Sequence, residues 1–304
     1  MKQKNIAIAF SKSQFSEVQL QRFESLGKVS FIESISFRCP KDTEVLVFDG
    51  SSPKAKGRLS HLLDTLPNVK YLVLGSSDLS FVDISLCKAK GIIVSSVPYN
   101  DARSKAEHVI ALLLACSRRI IINDRRTYRR KYQPEPGFEI RGKRLGVLGS
   151  DPTARKVIQL AMAMGMIVYT PERLDEAAIR KPLDFLLPGS DLLTLHLPDD
   201  KQSNGFLDRE KIRKIKTGSI VVNIGSRDWV NEKAMSEALI SRQVDTYCFE
   251  SASMGKTPLK GNEFALMLKP FSTQMVETLE KNTEAMTRNI EGIVIGLPFS
   301  KVDL

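Results

Sequence analysis

Residues 142–172 read G-K-R-L-G-V-L-G-S-D-P-T-A-R-K-V-I-Q-L-A-M-A-M-G-M-I-V-Y-T-P-E. An apolar strand over Leu145–Leu148 enters a short turn. A helix follows from about Pro152 to Met164. A second strand covers Met166–Tyr169, with Glu172 at its end. A strand–turn–helix–strand of this kind builds a parallel sheet covered by helices. In its dinucleotide-binding form, the turn carries G-x-G-x-x-G, here at positions 149, 151 and 154. This chain supplies Gly149, Asp151 and Ala154. The scaffold is kept, and two of the three turn residues are changed.

The same alternation extends along the chain. Short apolar runs at Ile6–Phe10, Val29–Ile32, Val45–Phe48, Tyr71–Leu74 and Ile92–Val94 are separated by helical stretches such as Glu17–Leu26 and Gly57–Leu66. A helical pattern runs from about Ala102 to Arg130, where Ala106, Val109, Ile110, Leu113 and Leu114 recur at three- and four-residue spacing. Beyond Pro134 and Pro136, strands are expected at Leu145–Leu148, Met166–Tyr169, Leu192–Leu195, Ile220–Asn223 and Thr246–Phe249, with a last helix at Glu277–Ile295. The fold class is therefore α/β: two Rossmann-like or flavodoxin-like doubly wound parallel sheets.

The 304 residues carry 45 basic and 35 acidic side chains, a net charge of +10. The densest basic run is Arg118–Lys131. It reads as the solvated end of a long helix; the alternative is a contact for nucleic acid or an acidic partner. Aromatic residues look sparse around it, which argues against a single-strand platform. Four scattered cysteines lack C-x-x-C spacing, and three histidines lack ligand spacing, so neither disulfides nor a metal is expected. The longest apolar run, His108–Cys116, is too short to span a bilayer, and Ile6–Phe10 is too short for a signal-peptide core. A cytoplasmic protein without membrane contact is expected.

Five ordered segments carry a resemblance. They are Ala106–Ala115, Gly142–Gly149, the Leu195–Pro198 run L-H-L-P, Lys216–Asn223 and the closing Asn289…Gly296-Leu297-Pro298. Together the chain resembles the D-isomer-specific 2-hydroxyacid dehydrogenases, the phosphoglycerate dehydrogenase-like group. The resemblance implies one domain of residues 1–100 plus 286–304 of the substrate-binding type. It implies a second, 101–285, of the nucleotide-binding type, with a cleft between them and a homodimer built on the long helix.

The resemblance also assigns positions, and several are altered. The Arg that holds a substrate carboxylate is Ser226, with Arg227 one place later. The general acid/base His is Phe271, after Pro270. Its supporting Glu is Ala252, with Glu250 two residues earlier. The Asp facing the nicotinamide carboxamide is Tyr247, beside Asn223. The substrate loop reads Gly75-Ser76-Ser77-Asp78, with Tyr99 as another cleft candidate.

Phe271 cannot donate a proton, a role worth roughly 10²–10⁴-fold in rate. Ser226 gives at most a neutral hydrogen bond to a carboxylate. Arg227 would point away if the segment were extended. Asp151-Pro152 reads as a self-capping helix start that takes the N–H groups a phosphate would use. Glu172 suits a ribose hydroxyl, so a surviving cofactor would be NAD rather than NADP; it reads equally well as a surface acid.

His196, in the L-H-L-P segment, reads first as a packed strand-end residue. His61 and His108 are placed on helices outside the cleft. Lys269 reads as a surface residue, with the cleft as its alternative. The expectation is a repurposed or catalytically silent homodimer of this family, binding an unknown small molecule or a protein, with NAD doubtful. Two alternatives stay open. One is an enzyme acting on a small acidic metabolite through Arg227 and His196. The other is a corepressor-like binding protein.

Overall fold

Two separate parallel sheets organise the chain in a computed structural model that describes residues 3–32, 39–48, 50, 55–77, 79, 81–97, 101–198, 200–251, 255–297 and 299–302. The first sheet uses β1 (Lys4–Ala9), β2 (Gly27–Phe31), β3 (Val45–Phe48), β4 (Tyr71–Leu74) and β5 (Ile93–Ser96), in the order β2-β1-β3-β4-β5. Every residue of β3 is buried, as a central parallel strand requires, whereas edge strand β2 is half-exposed. Helices α1 (Glu17–Leu26), α2 (Ala55–Thr65) and α3 (Ile84–Ala89) alternate with these strands.

The second unit begins with α4 (Ala102–Ser117) and α5 (Ile120–Tyr128). It continues through β6 (Arg144–Gly149), α6 (Pro152–Ala163), β7 (Ile167–Thr170), β8 (Ile179–Arg180), α7 (Leu183–Gly189) and β9 (Leu192–His196). It ends with α8 (Arg209–Lys214), β10 (Ser219–Asn223), α9 (Glu232–Ile240), β11 (Val244–Glu250) and β12 (Ala265–Leu268). The strand order is β12-β11-β10-β9-β6-β7-β8, all parallel. From β6 the chain winds outward one way through β7 and β8, then returns beside β6 as β9 and winds the other way. The sheet therefore has its switch point between β6 and β9, where crevices of doubly wound sheets open.

One face of this sheet is covered by α4 and α6, through Val109, Leu113, Val157 and Ile158 against Leu145, Val147 and Val222. The other face packs Leu186, Leu195, Val221, Met235 and Phe249 into a second cluster. The last helix, α10 (Val276–Val294), returns to the first unit, where Met286, Ile290 and Ile293 cover Ile6, Ile8, Val45 and Val73. The units are residues Met1–Asn100 with Val276–Leu304, and Asp101–Met275. The boundary expected at 285/286 thus falls inside α10, which the first unit keeps whole. Its buried face is continuous across that point, from Thr278 and Thr283 to Met286, Ile290 and Ile293, so it packs as one element.

The long helix expected over 102–130 is two helices. Arg119 stands between them in the left-handed region, at φ 58°. Its guanidinium is buried, donating to Asp245 and, at 3.0 Å, to the Thr246 hydroxyl on β11. Pulling that side chain inward turns the chain. The basic run is accordingly not just a solvated helix end. Arg126 is held by Glu135 at 2.6 Å and by Glu263 at 3.1 Å. Nor is the run poor in aromatic surface: Tyr128 is 84% exposed and Tyr132 73%. All four cysteines are free thiols, and no described helix is long and apolar enough to cross a membrane. Among the described residues no group of three His, Cys, Asp or Glu side chains is placed to hold a metal ion.

Candidate functional site

At the end of β6, Gly149 has φ 106°, and a Cβ there would lie 1.9 Å from the His196 carbonyl oxygen. Gly149 and His196 are register partners on β6 and β9, so glycine is needed for the two strand ends to approach. Asp151 follows as the N-cap of α6, with extended backbone, and Pro152 takes the first helical position. The Asp151 Oδ1 accepts the Ala154 N–H at 2.7 Å and lies 3.4 Å from His196 Nδ1.

His196 is almost fully buried, and its Nε2 is 3.0 Å from the Thr194 hydroxyl. An Nδ1–H directed at Asp151 and an Nε2 accepting the Thr194 hydroxyl would satisfy both neighbours. Burial pushes the Asp151 carboxyl up, but the His196 ring and the Ala154 N–H outweigh it and hold it below the usual range. The strand end thus carries a full negative charge at the helix N-terminus. Ala154 is completely buried in the α4–α6 core. Glu172 is exposed just past β7, where its backbone N–H and carbonyl bond the Thr170 hydroxyl.

A cavity of about 730 Å³ opens beyond the ends of β10 and β11, lined by Ser226, Arg227, Glu232, Glu250, Ser251 and Pro270 among others. Asn223 ties down the turn that lines it. Its Oδ1 accepts the Gly225 N–H at 3.0 Å, and its Nδ2 donates to the Ser226 carbonyl at 2.9 Å. Gly225 admits the Trp229 ring, which a Cβ would strike at 2.1 Å. Ser226 then caps a single 3-10 turn, Arg227–Trp229, by accepting the Asp228 N–H at 3.2 Å.

The segment is therefore turned, not extended, and Arg227 lines the cavity after all. Its guanidinium is already engaged. Nε and Nη2 donate to the two Glu232 oxygens at 2.7 and 2.8 Å, and Thr257 adds a hydroxyl at 2.8 Å to the same carboxylate. Among the described lining residues Arg227 is the only cation, against Asp228, Glu232 and Glu250.

Glu250 closes β11 with a buried carboxylate. It accepts the Phe271 N–H at 3.0 Å and the Ser272 hydroxyl at 2.9 Å. His108 Nε2, on α4, lies 3.1 Å from Glu250 Oε1 without hydrogen-bond geometry. Burial raises the Glu250 carboxyl, and the His108 ring, the Phe271 N–H and the Ser272 hydroxyl together bring it below its ordinary value. The Phe271 ring stands edge-on to His108, centroids 4.6 Å apart.

The His108–Glu250 contact was absent from the sequence reading. The two residues lie far apart in the chain, and no local pattern couples a helix position to a strand end. Tyr247 is a core residue, stacked on Phe249 at 4.8 Å with its hydroxyl 3.4 Å from Asn223 Nδ2. Burial drives its hydroxyl well above the ordinary phenol value. Lys269 is exposed beyond β12. Ser76 and Ser77 are half-buried on the turn after β4 in the first unit, and His61 lies on α2. Asp78, Tyr99 and Ala252 lie outside the described residues.

The family description "D-isomer specific 2-hydroxyacid dehydrogenase, NAD binding domain" matches residues 110–267. A D-3-phosphoglycerate dehydrogenase of Mycobacterium bovis is 30% identical over 243 residues, covering 72% of this chain and 46% of that protein. The chain thus spans about half the length of that relative. A hydroxypyruvate reductase of Blautia hydrogenotrophica is 24% identical over 276 residues, 85% of this chain and 84% of its own. The apo structure of D-lactate dehydrogenase from Escherichia coli shares the fold. Its TM-score is 0.80 at 20% identity, and the match covers 98% of this chain and all of the other.

Proposed function

Because the chain belongs to the D-isomer-specific 2-hydroxyacid dehydrogenase family, we propose that it is a member whose hydride-transfer and carboxylate-binding residues have been replaced. In this reading it is a catalytically silent or repurposed cytoplasmic homodimer. The observation that carries the proposal is the Arg227–Glu232 pair. A 2-keto acid needs a charge-assisted clamp on its carboxylate. The cation available in the cavity already has a bidentate carboxylate partner, and Glu250 and Asp228 add negative charge to the same wall.

The position assigned to the proton donor is Phe271, whose ring packs on His108. The turn before α6 does not fit a dinucleotide diphosphate. A phosphate needs free N–H groups at the helix start, and here Pro152 has none while Ala154 donates to Asp151. When bound in this fold, a nicotinamide group would supply the hydride, and the forming alkoxide would need a proton that Phe271, at the position assigned to the donor, does not have. The test is a spectrophotometric assay of purified protein with NADH and a panel of 2-keto acids. The proposal expects no consumption above the protein-free blank, and saturable turnover overturns it.

A second reading is favoured by the buried His108–Glu250 pair at the cavity wall. In it the cavity does other acid–base chemistry through Glu250. Substituting Glu250→Gln would then abolish activity on the true substrate; activity that survives the substitution removes this reading.

A further inference from the structure

We infer that the Asp151 carboxylate bars a dinucleotide from this fold's crevice, serving as a built-in anion in the place of a diphosphate. The inference rests on the functional reading above and names the residue responsible for part of it. Its ground is position. The β6–β9 switch point is where a doubly wound sheet opens its ligand crevice, and Asp151 and His196 meet there, one just after β6 and the other closing β9.

The Asp151 carboxylate is bound much as a ligand anion would be. It takes a helix N-terminal N–H at 2.7 Å and faces a buried imidazole at 3.4 Å. The partial positive charge of a helix start favours one anion there. A second anion brought to the same place meets the like charge of Asp151.

Three neighbouring positions keep the form a dinucleotide would need. Gly149 keeps the positive φ that lets β6 approach β9. Ala154 replaces a glycine yet is fully buried without disturbing the α4–α6 core. Glu172 stands exposed at the end of β7, as a ribose diol would require. Pro152 withholds one N–H, and the Asp151 charge is the further obstacle to a diphosphate at this turn. His196 acts as a positioning residue, holding the Asp151 carboxylate over the helix.

The experiment is calorimetric titration of NADH into the unaltered chain and into Asp151→Ser and Asp151→Gly, each checked for a cooperative melt. Serine keeps an N-cap oxygen and removes the charge, so Asp151→Ser remains informative if the glycine variant unfolds. The unaltered chain should show no saturable binding up to about 1 mM, and Asp151→Ser should bind at least about tenfold more tightly. Equal NADH affinity of the unaltered chain and Asp151→Ser overturns the inference. So does the absence of any gain in a folded Asp151→Ser. NADH binding by the unaltered chain without turnover overturns this inference alone, whereas turnover overturns the functional reading.

Discussion

Two guanidinium groups show how the charge of a single residue is committed by its neighbours. Arg227 faces the cavity but is held by both oxygens of Glu232. Replacing Glu232→Gln removes the opposing charge while keeping the shape. The variant should gain affinity for pyruvate by about tenfold or more, the scale of one charge-assisted bond. Calorimetry showing no gain would contradict the view that Glu232 is what occupies the clamp. Arg119 is the opposite case, a buried cation whose task is structural. It pairs with buried Asp245 and with Thr246. Arg119→Met strands much of that carboxylate's charge and should lower stability by about 3 kcal/mol in urea denaturation. A loss below about 0.5 kcal/mol, typical of surface positions, would show that the pair is dispensable.

At the scale of elements, the carboxylates at strand and helix ends fix how α and β segments join. Asp191, just before β9, accepts the Arg144 N–H of β6 at 2.8 Å and pairs with Lys216 ahead of β10. Burial would raise its carboxyl, but Lys216 and Arg144 hold it down to about 2. Its folded value lies below its unfolded one. Its stabilisation is therefore complete above the ordinary carboxylate value of 3.8 and is lost as pH falls from there through about 2. Melting temperature recorded from pH 6 to pH 2 should fall more steeply for the unaltered chain than for Asp191→Asn. Parallel curves would remove Asp191 from the account.

The strands were legible in the sequence because parallel strands buried on both faces are unbroken apolar runs. Val45–Phe48 and Tyr71–Leu74 fall where the apolar runs put them. The Asp151 cap was legible because capping is local. The break at Arg119 was not, because it depends on Asp245, more than a hundred residues later. The turn at Ser226–Trp229 was hidden for a related reason, since Asn223 and the Trp229 ring shape it together. The His108–Glu250 contact likewise joins a helix to a strand end that only the folded sheet brings near.

For the whole molecule, the family fold is kept, and the proposal is that the chemistry assigned to it by resemblance is not. Gly149, Asn223 and the β6–β9 crossover preserve the architecture. By the resemblance Phe271 and Asp151 hold the proton-donor and phosphate-turn positions, and Glu232 takes up the Arg227 guanidinium. The proposed homodimer should sediment at twice the mass of the chain; a monomer at micromolar concentration would refute that part of the reading. The most direct measurement is NADH oxidation by the unaltered protein with glyoxylate, pyruvate and hydroxypyruvate as acceptors. The account predicts no rate above the blank for any of the three. Saturable turnover near the common enzyme range of roughly 1–10³ s⁻¹ would contradict it.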